Sequence, residues 1–311
     1  SPNTFVAYAN CGRYCGADID FVDIDPKTYN MSTDALSEKL IKAEKSGKLP
    51  KIVVPVHFAG QPCDMLKIHE LSKSYGFKII EDASHAIGAS YNQIKVGSST
   101  HSDITIFSFH PVKIITTAEG GMALTNDKNI ADKIYRLRTH GITNDKTIMK
   151  DRPEDEIWNY QQIDLGFNYR LNDIQAALGL NQMKRVDEYV KTRHKIASYY
   201  DSELENLPLS TPWQAPNFYS SYHLYPILIN SVSNLKNQRQ VYVEMRKKNI
   251  GVNLHYIPVH RQPYYENLNF KYGDFPISEK FHKEAISIPI FPTLQEEHQE
   301  YVISTIKKII I

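Results

Sequence analysis

Through the first two-fifths of the chain, short apolar runs alternate with stretches whose apolar residues recur every three or four positions. Lys51–Phe58 (KIVVPVHF) reads as a buried strand. Met65, Ile68, Leu71 and Tyr75 share one helical face across Asp64–Tyr75, and Gly76 supplies the stop. Phe77–Asp82 (FKIIED), Asp103–Phe109 (DITIFSF) and Gly121–Thr125 read as further strands. Asp127 is placed to cap a helix that carries Ile130, Ile134 and Leu137 on one side. Strand, helix and strand in this rhythm predict an α/β fold, a mainly parallel sheet sandwiched by helices.

The pattern changes further along. Thr143–Gln162 is polar and charged and predicts an exposed excursion, and a long helical stretch follows from Asn172 to about Leu207. Pro208, Pro212 and Pro216 then break the chain and mark a hinge. Beyond it the sequence predicts a strand (His223–Ile229), a helix ending near Gly251, a second strand (Val252–Pro258), a third (Ala285–Pro289) and a terminal helix. The expected division is therefore a large domain over residues 1–207 and a small C-terminal α+β domain over 208–311. The opening Ser-Pro-Asn-Thr-Phe-Val reads as the middle of a domain, so the large domain is expected to lack its amino-terminal part.

Composition narrows the class. A chain of 311 residues, 41% hydrophobic and 23% charged, suits two packed cores rather than disorder. With 36 basic and 35 acidic residues the formal net charge is +1, which provides no electrostatic case for nucleic acid or an anionic membrane as partner. No apolar run approaches the roughly 18 residues of a membrane span, and the mean hydropathy is −0.42. Cys11, Cys15 and Cys63 cannot build a disulfide framework, so a reducing cytoplasm is the expected setting. Cys11 and Cys15 would face the same way on a helix, but no second ligand pair accompanies them; ordinary buried cysteines are expected, and no metal.

The informative polar residues end two strands. In open parallel sheets ligands lie outside the carboxyl ends of strands. FKIIED delivers Asp82 there with His85 just after it, and DITIFSF delivers Ser108, with Lys113 in the following HPVK and a Glu119–Gly121 turn closing the loop. Each alone has a plain structural reading: a carboxylate cap, a core histidine, a strand-end hydroxyl, a solvated lysine. Together they fit pyridoxal phosphate, which needs an amine for a Schiff base, a carboxylate against its pyridinium nitrogen and hydroxyl or amide donors for its phosphate. The G-x-G-x-x-G, G-x-x-x-x-G-K-[ST] and H-E-x-x-H motifs are absent.

EDASHAIGA, SFHPVKIITTAEGGMALTND and GFNYRLNDIQAALGLNQ resemble the DegT/DnrJ/EryC1/StrS sugar aminotransferases, and the resemblance runs over essentially the whole chain. It implies fold type I of the pyridoxal-phosphate enzymes and transfer of an amino group, from L-glutamate, to a nucleotide-linked 4-keto-6-deoxy sugar. By position, Lys113 matches the Schiff-base lysine and Asp82 the partner of the pyridine nitrogen. His85 matches the group bonded to the cofactor's phenolic oxygen, and Ser108 a phosphate-binding hydroxyl. Asn168 matches an amide that reaches the phosphate from a neighbouring subunit, which implies a homodimer with a shared active site. His255, Tyr256 and His260 (LHYIPVH) are expected at the border of the sugar-nucleotide site, with a structural role as the alternative. The chain departs from the family pattern at its front, where the phosphate-binding helix start has no counterpart.

Two rival readings stay open on the sequence. A sugar 3-dehydratase of the same fold carries a histidine in the lysine slot; Lys113 holds that slot here, with His110 nearby. A truncated, non-catalytic homologue acting as a binding or regulatory module is the other.

Overall fold

The structure, a computed structural model, describes residues 1–153, 155–229 and 236–310. Its central sheet holds four strands in the order Ile52–Val53, Lys78–Asp82, Ile104–Ser108 and Gly121–Leu124. The first three run parallel and the last is antiparallel. The expected α/β architecture is thus present. Helix Met65–Tyr75 covers one face: Asp64 caps it by accepting the Lys67 N–H at 3.3 Å, and Gly76 ends it at φ 75°, a left-handed conformation that favours glycine. Asp127 caps Lys128–Leu137 by accepting the N–H groups of Asn129 and Ile130. The start of the Lys78–Asp82 strand is pinned by Asp103, whose carboxylate accepts both the Ile79 N–H and the Lys78 ammonium at 2.8 Å.

Three elements differ from expectation. The Lys51–Phe58 strand is regular only over Ile52–Val53. Pro55 has no N–H to give the ladder, and pairing resumes beyond it, where Pro55 C=O accepts the Asp82 N–H at 2.9 Å and Asp82 C=O accepts the His57 N–H at 3.0 Å. The long helical stretch is two helices, Asp173–Met183 and Val186–Leu204. The first leans on the Thr116–Thr117 turn, where Gln182 accepts the Thr116 N–H at 3.0 Å, and the second turns away into the hydrophobic core. Val252–Pro258 forms no strand; a single bridge joins Asn253 to Ser287. Val252 packs into the small-domain core, and only His255 and Tyr256 of this segment reach the site described below.

A second sheet sets Tyr225–Ile229 between Ala285–Ile288 and Leu209–Ser210, all antiparallel. Tyr225, Ile227 and Ile229 are fully buried against Val241 and Met245 of helix Gln238–Lys247 and Ile303 and Ile306 of helix Glu296–Ile310. Helix Val186–Leu204 serves both cores. Val186 and Val190 pack with Ala83, Ala86 and Phe107, whereas Ala197, Tyr200 and Leu204 pack with Tyr225 and Ile227. We propose the division 1–207 and 208–311 with this helix as the shared beam.

Cys63 is buried, but Cys11 and Cys15, expected to be buried, are exposed. Cys11 lies on helix Ala7–Tyr14, whose only buried residue is Ala9, and Cys15 lies just past its end; their spacing puts them on the outer side. No helix of the described residues is long and apolar enough to cross a membrane, and no group of three or more metal-ligating side chains occurs among them.

Candidate active site

Adjacent residues of a strand point to opposite faces, and the Lys78–Asp82 strand uses this to separate two carboxylates. Glu81 faces a buried anchor: His57 Nε2 lies 2.7 Å from one oxygen, while Ser102 Oγ and Thr105 Oγ1 donate to the other at 2.8 and 3.0 Å. Burial opposes the Glu81 charge, and these partners more than offset it, so the carboxyl sits below its ordinary range. Asp82 faces the other way, also buried. It accepts the Ser84 N–H at 3.0 Å, which tightens the turn after the strand, and the Tyr8 hydroxyl lies near it. Burial raises the Asp82 pKa, against the nearby Ser84 and Tyr8, which lower it. No Lys or Arg of the described residues makes an ion pair with it.

Lys113 is presented by the loop after Ile104–Ser108. The Lys113 N–H donates to His110 C=O at 2.9 Å, and the loop closes where Thr117 N–H and Thr116 Oγ1 both donate to Phe109 C=O. Ile114 and Ile115 are buried with Ala83, Ala86 and Phe107, so the two residues after Lys113 anchor the loop, and Lys113 itself is half-buried. Glycine at 120 is required by this turn itself, since a Cβ there would lie 2.3 Å from Thr117 Oγ1. Burial lowers the Lys113 pKa, and the Asp82 charge works against that shift. The amine and the carboxylate thus lie within electrostatic reach of each other.

Three imidazoles lie close enough to Lys113 for its charge to depress their pKa values further. His85 and His223 are lowered well below the ordinary value, first by burial; His255 is lowered to about 4, again first by burial. His85 Nε2 shares a hydrogen bond with the Tyr256 hydroxyl at 3.2 Å, and its Nδ1 is buried without a partner. His255 Nδ1 lies 2.9 Å from Ser287 Oγ. The structure therefore gathers Asp82, His85, Lys113, His255 and Tyr256 into one site.

Ser108 is half-buried at the strand end, opposite Gly121 in register, and its Oγ accepts the His110 N–H at 3.4 Å. Asn168 lies apart on an exposed segment, bridged to Thr139. His260 is buried with its Nε2 2.8 Å from Glu279 Oε1, beside Phe275; these contacts are structural and do not touch Lys113, Asp82 or His85. Sequence reasoning missed Tyr8 and His223. Tyr8 follows directly on the opening SPNTFVA, but nothing in its spacing ties it to a carboxylate 74 residues away. His223 was read only as the first residue of a strand.

The donor set suits pyridoxal phosphate. A buried carboxylate that makes no ion pair with a Lys or Arg of the described residues matches a pyridinium N–H, a half-buried amine with a lowered pKa matches an aldehyde, and an imidazole nitrogen without a hydrogen-bond partner among the described residues offers a further polar contact.

Comparison with known proteins agrees. The DegT/DnrJ/EryC1/StrS aminotransferase family model matches residues 1–307. A UDP-4-amino-4,6-dideoxy-N-acetyl-beta-L-altrosamine transaminase of Campylobacter jejuni is 36% identical over 313 residues, which span 100% of this chain and 78% of that protein. The solved structure of Helicobacter pylori PseC, described as an aminotransferase of pseudoaminic acid biosynthesis, superposes with a TM-score of 0.88 at 30% identity, covering 100% of this chain and 78% of that one. The PLP form of the putative sugar aminotransferase Spr1654 from Streptococcus pneumoniae superposes with a TM-score of 0.85 at 26% identity, covering 99% and 79%.

Proposed function

Because the chain belongs to the DegT/DnrJ/EryC1/StrS family of pyridoxal-phosphate-dependent sugar aminotransferases, we propose that it moves an amino group from L-glutamate to C4 of a nucleotide-linked 4-keto-6-deoxy sugar. The specific product we propose is UDP-4-amino-4,6-dideoxy-N-acetyl-β-L-altrosamine, of the pseudaminic acid route, on the likeness to the Campylobacter transaminase and PseC. The observation that carries the reading is the nearness of a half-buried amine, Lys113, to a buried carboxylate, Asp82, that makes no ion pair with a Lys or Arg side chain of the described residues.

When bound, the cofactor supplies an electron sink for the pair left as the amino donor loses its α-proton. Lys113 is the amine that would hold the cofactor's aldehyde and give way to the amino donor. Burial lowers its pKa, which would help the freed amine to move the donor's α-proton to the cofactor's C4′. Asp82 holds the proton on the pyridine nitrogen, because a carboxylate there stabilises the positive ring. Tyr8, which lies near Asp82, would orient it by donating to it. His85 would bind the phenolic oxygen and Ser108 the phosphate, and His255 and Tyr256 would border the sugar.

We further propose a homodimer in which Asn168 reaches the partner's phosphate site. Between residues 157 and 174, Ile157 and Leu165 are 90% and 89% exposed, and Trp158, Tyr169 and Ile174 are exposed as well. Helix Asp173–Met183 carries Ile174, Leu178 and Leu180, yet none of its residues is buried. So large an apolar surface asks for a cover, and a second copy supplies one while bringing Asn168 to the site. Three free cysteines suit the proposed cytoplasmic setting.

Incubation with candidate UDP-linked keto-sugars and L-glutamate, with product identification by mass spectrometry and NMR, tests the reading. The expected product is a 4-amino sugar; a deoxygenated sugar would point to the dehydratase instead, and no turnover of any keto-sugar would contradict it.

A further inference from the structure

His223 belongs to none of the roles above, yet its position is unusually determined. It sits on the strap Ser220–His223, which leads into the strand Tyr225–Ile229 and crosses the large-domain core. Ser221 N–H donates to Gly60 C=O at 3.0 Å, Ser221 Oγ donates to His85 C=O at 2.7 Å, and Leu224 N–H donates to Ala59 C=O at 3.2 Å. The buried guanidinium of Arg193 donates to Tyr222 C=O at 2.9 Å, His223 C=O at 3.3 Å and Ile290 C=O at 2.8 Å. Gly60 has φ 104°, and a Cβ on it would lie 2.5 Å from Ser221 Oγ and 2.8 Å from Tyr222 N, so only glycine lets the strap approach this closely. The outcome of this stitching is that the His223 ring lies 4.4 Å from that of His85, centroid to centroid.

We propose that His223 is a positioning residue that acts through His85, walling one face of its ring from water and keeping it uncharged and aimed into the cofactor site. This rests on the aminotransferase reading for the use of His85, but the contact itself does not. His85 is fixed on its other sides by Tyr256 at Nε2 and by Phe58, 6.2 Å away between ring centroids. His223 packs against it from the strap, the two rings tilted by 43°, with its own Nδ1 buried and without a hydrogen-bond partner among the described residues. The groups that bear on His85 are Lys113 from its loop, His255 and Tyr256 from the segment after Val252, and His223 from the strap; Arg193 lies behind His223. Every charged neighbour in that set is a cation or becomes one on protonation, so a proton on either ring of the pair meets only repulsion at close range. Burial and like charge then act together to keep both rings neutral.

The test uses His223→Gln, which keeps a polar side chain of similar length but no ring, and His223→Phe, which keeps the ring face. In cofactor-free protein labelled at histidine, NMR titration of the His85 imidazole is expected to show a midpoint well below 6.5 in the wild type. The midpoint should rise by one unit or more in His223→Gln and return toward the wild-type value in His223→Phe. In the cofactor-loaded enzyme, His223→Gln should lower kcat about tenfold, leave KM for the amino donor within twofold, and shift the visible band. An unchanged His85 midpoint in folded His223→Gln overturns the proposal, as does an ordinary midpoint near 6.5 in the wild type, which needs no variant to fold. A shifted midpoint in a protein that aminates no sugar would uphold the positioning contact while removing the aminotransferase reading.

Discussion

Tyr8, on the helix Ala7–Tyr14, lies close to Asp82 at the end of the strand Lys78–Asp82: burial first, and then the Asp82 charge, raise the pKa of its hydroxyl. We propose that Tyr8 donates to the acid that faces the pyridine nitrogen and so orients it. Hydrogen bonds to charged groups contribute about 1.5–3 kcal/mol. Tyr8→Phe is therefore expected to weaken cofactor affinity by roughly 10- to 100-fold, measured by fluorescence titration of the cofactor-free protein. Affinity unchanged within a factor of two would remove Tyr8 from the site.

Acid should destabilise the protein through its neutral histidines. His255 is held near 4, first by burial and then by the Lys113 charge. As pH falls below 6.5 the unfolded chain takes up a proton that the folded chain refuses, so stability falls with pH down to about 4 and then levels. The loss from His255 alone is on the order of 3 kcal/mol. His85 and His223 act in the same direction, while Asp82, with its raised pKa, acts in the opposite one. A variant difference isolates the term: urea unfolding at pH 7 and pH 5 should show a smaller pH loss in His255→Gln than in the wild type. Equal losses would contradict the assignment.

The exposed apolar surface around Ile174 predicts self-association. Ile174→Glu, at a residue 84% exposed, is expected to leave the fold intact by circular dichroism and convert the dimer to monomer in light scattering after size-exclusion chromatography. It should also lower cofactor affinity by removing the partner's Asn168. A wild-type protein that is monomeric at micromolar concentration would contradict the shared site.

What could be read from the sequence follows the range of the interactions. Asp64 and Gly76 bound their helix through contacts within four residues, and Asp127 does the same, so their signals are local and were legible. Asp82 and Lys113 were legible because each ends or follows a strand, and strand ends in a parallel sheet converge. The breaks at Pro55 and at Met183–Val186 were not, since one depends on which side of the strand must pair and the other on a contact between Gln182 and Thr116. Tyr8 and His223 reach the site only through tertiary packing; His223 meets His85 because Arg193 and Gly60 hold its strap across 138 residues of sequence. The exposure of Cys11 and Cys15 likewise depends on which face of a short helix the fold turns outward.

The most direct test is the visible absorbance of the protein purified with pyridoxal 5′-phosphate, wild type against Lys113→Ala. A lysine-linked cofactor gives a band that L-glutamate bleaches, and the account predicts this band in the wild type and its loss, together with all turnover, in the variant. A Lys113→Ala protein that keeps the band and still transfers amino groups would contradict it.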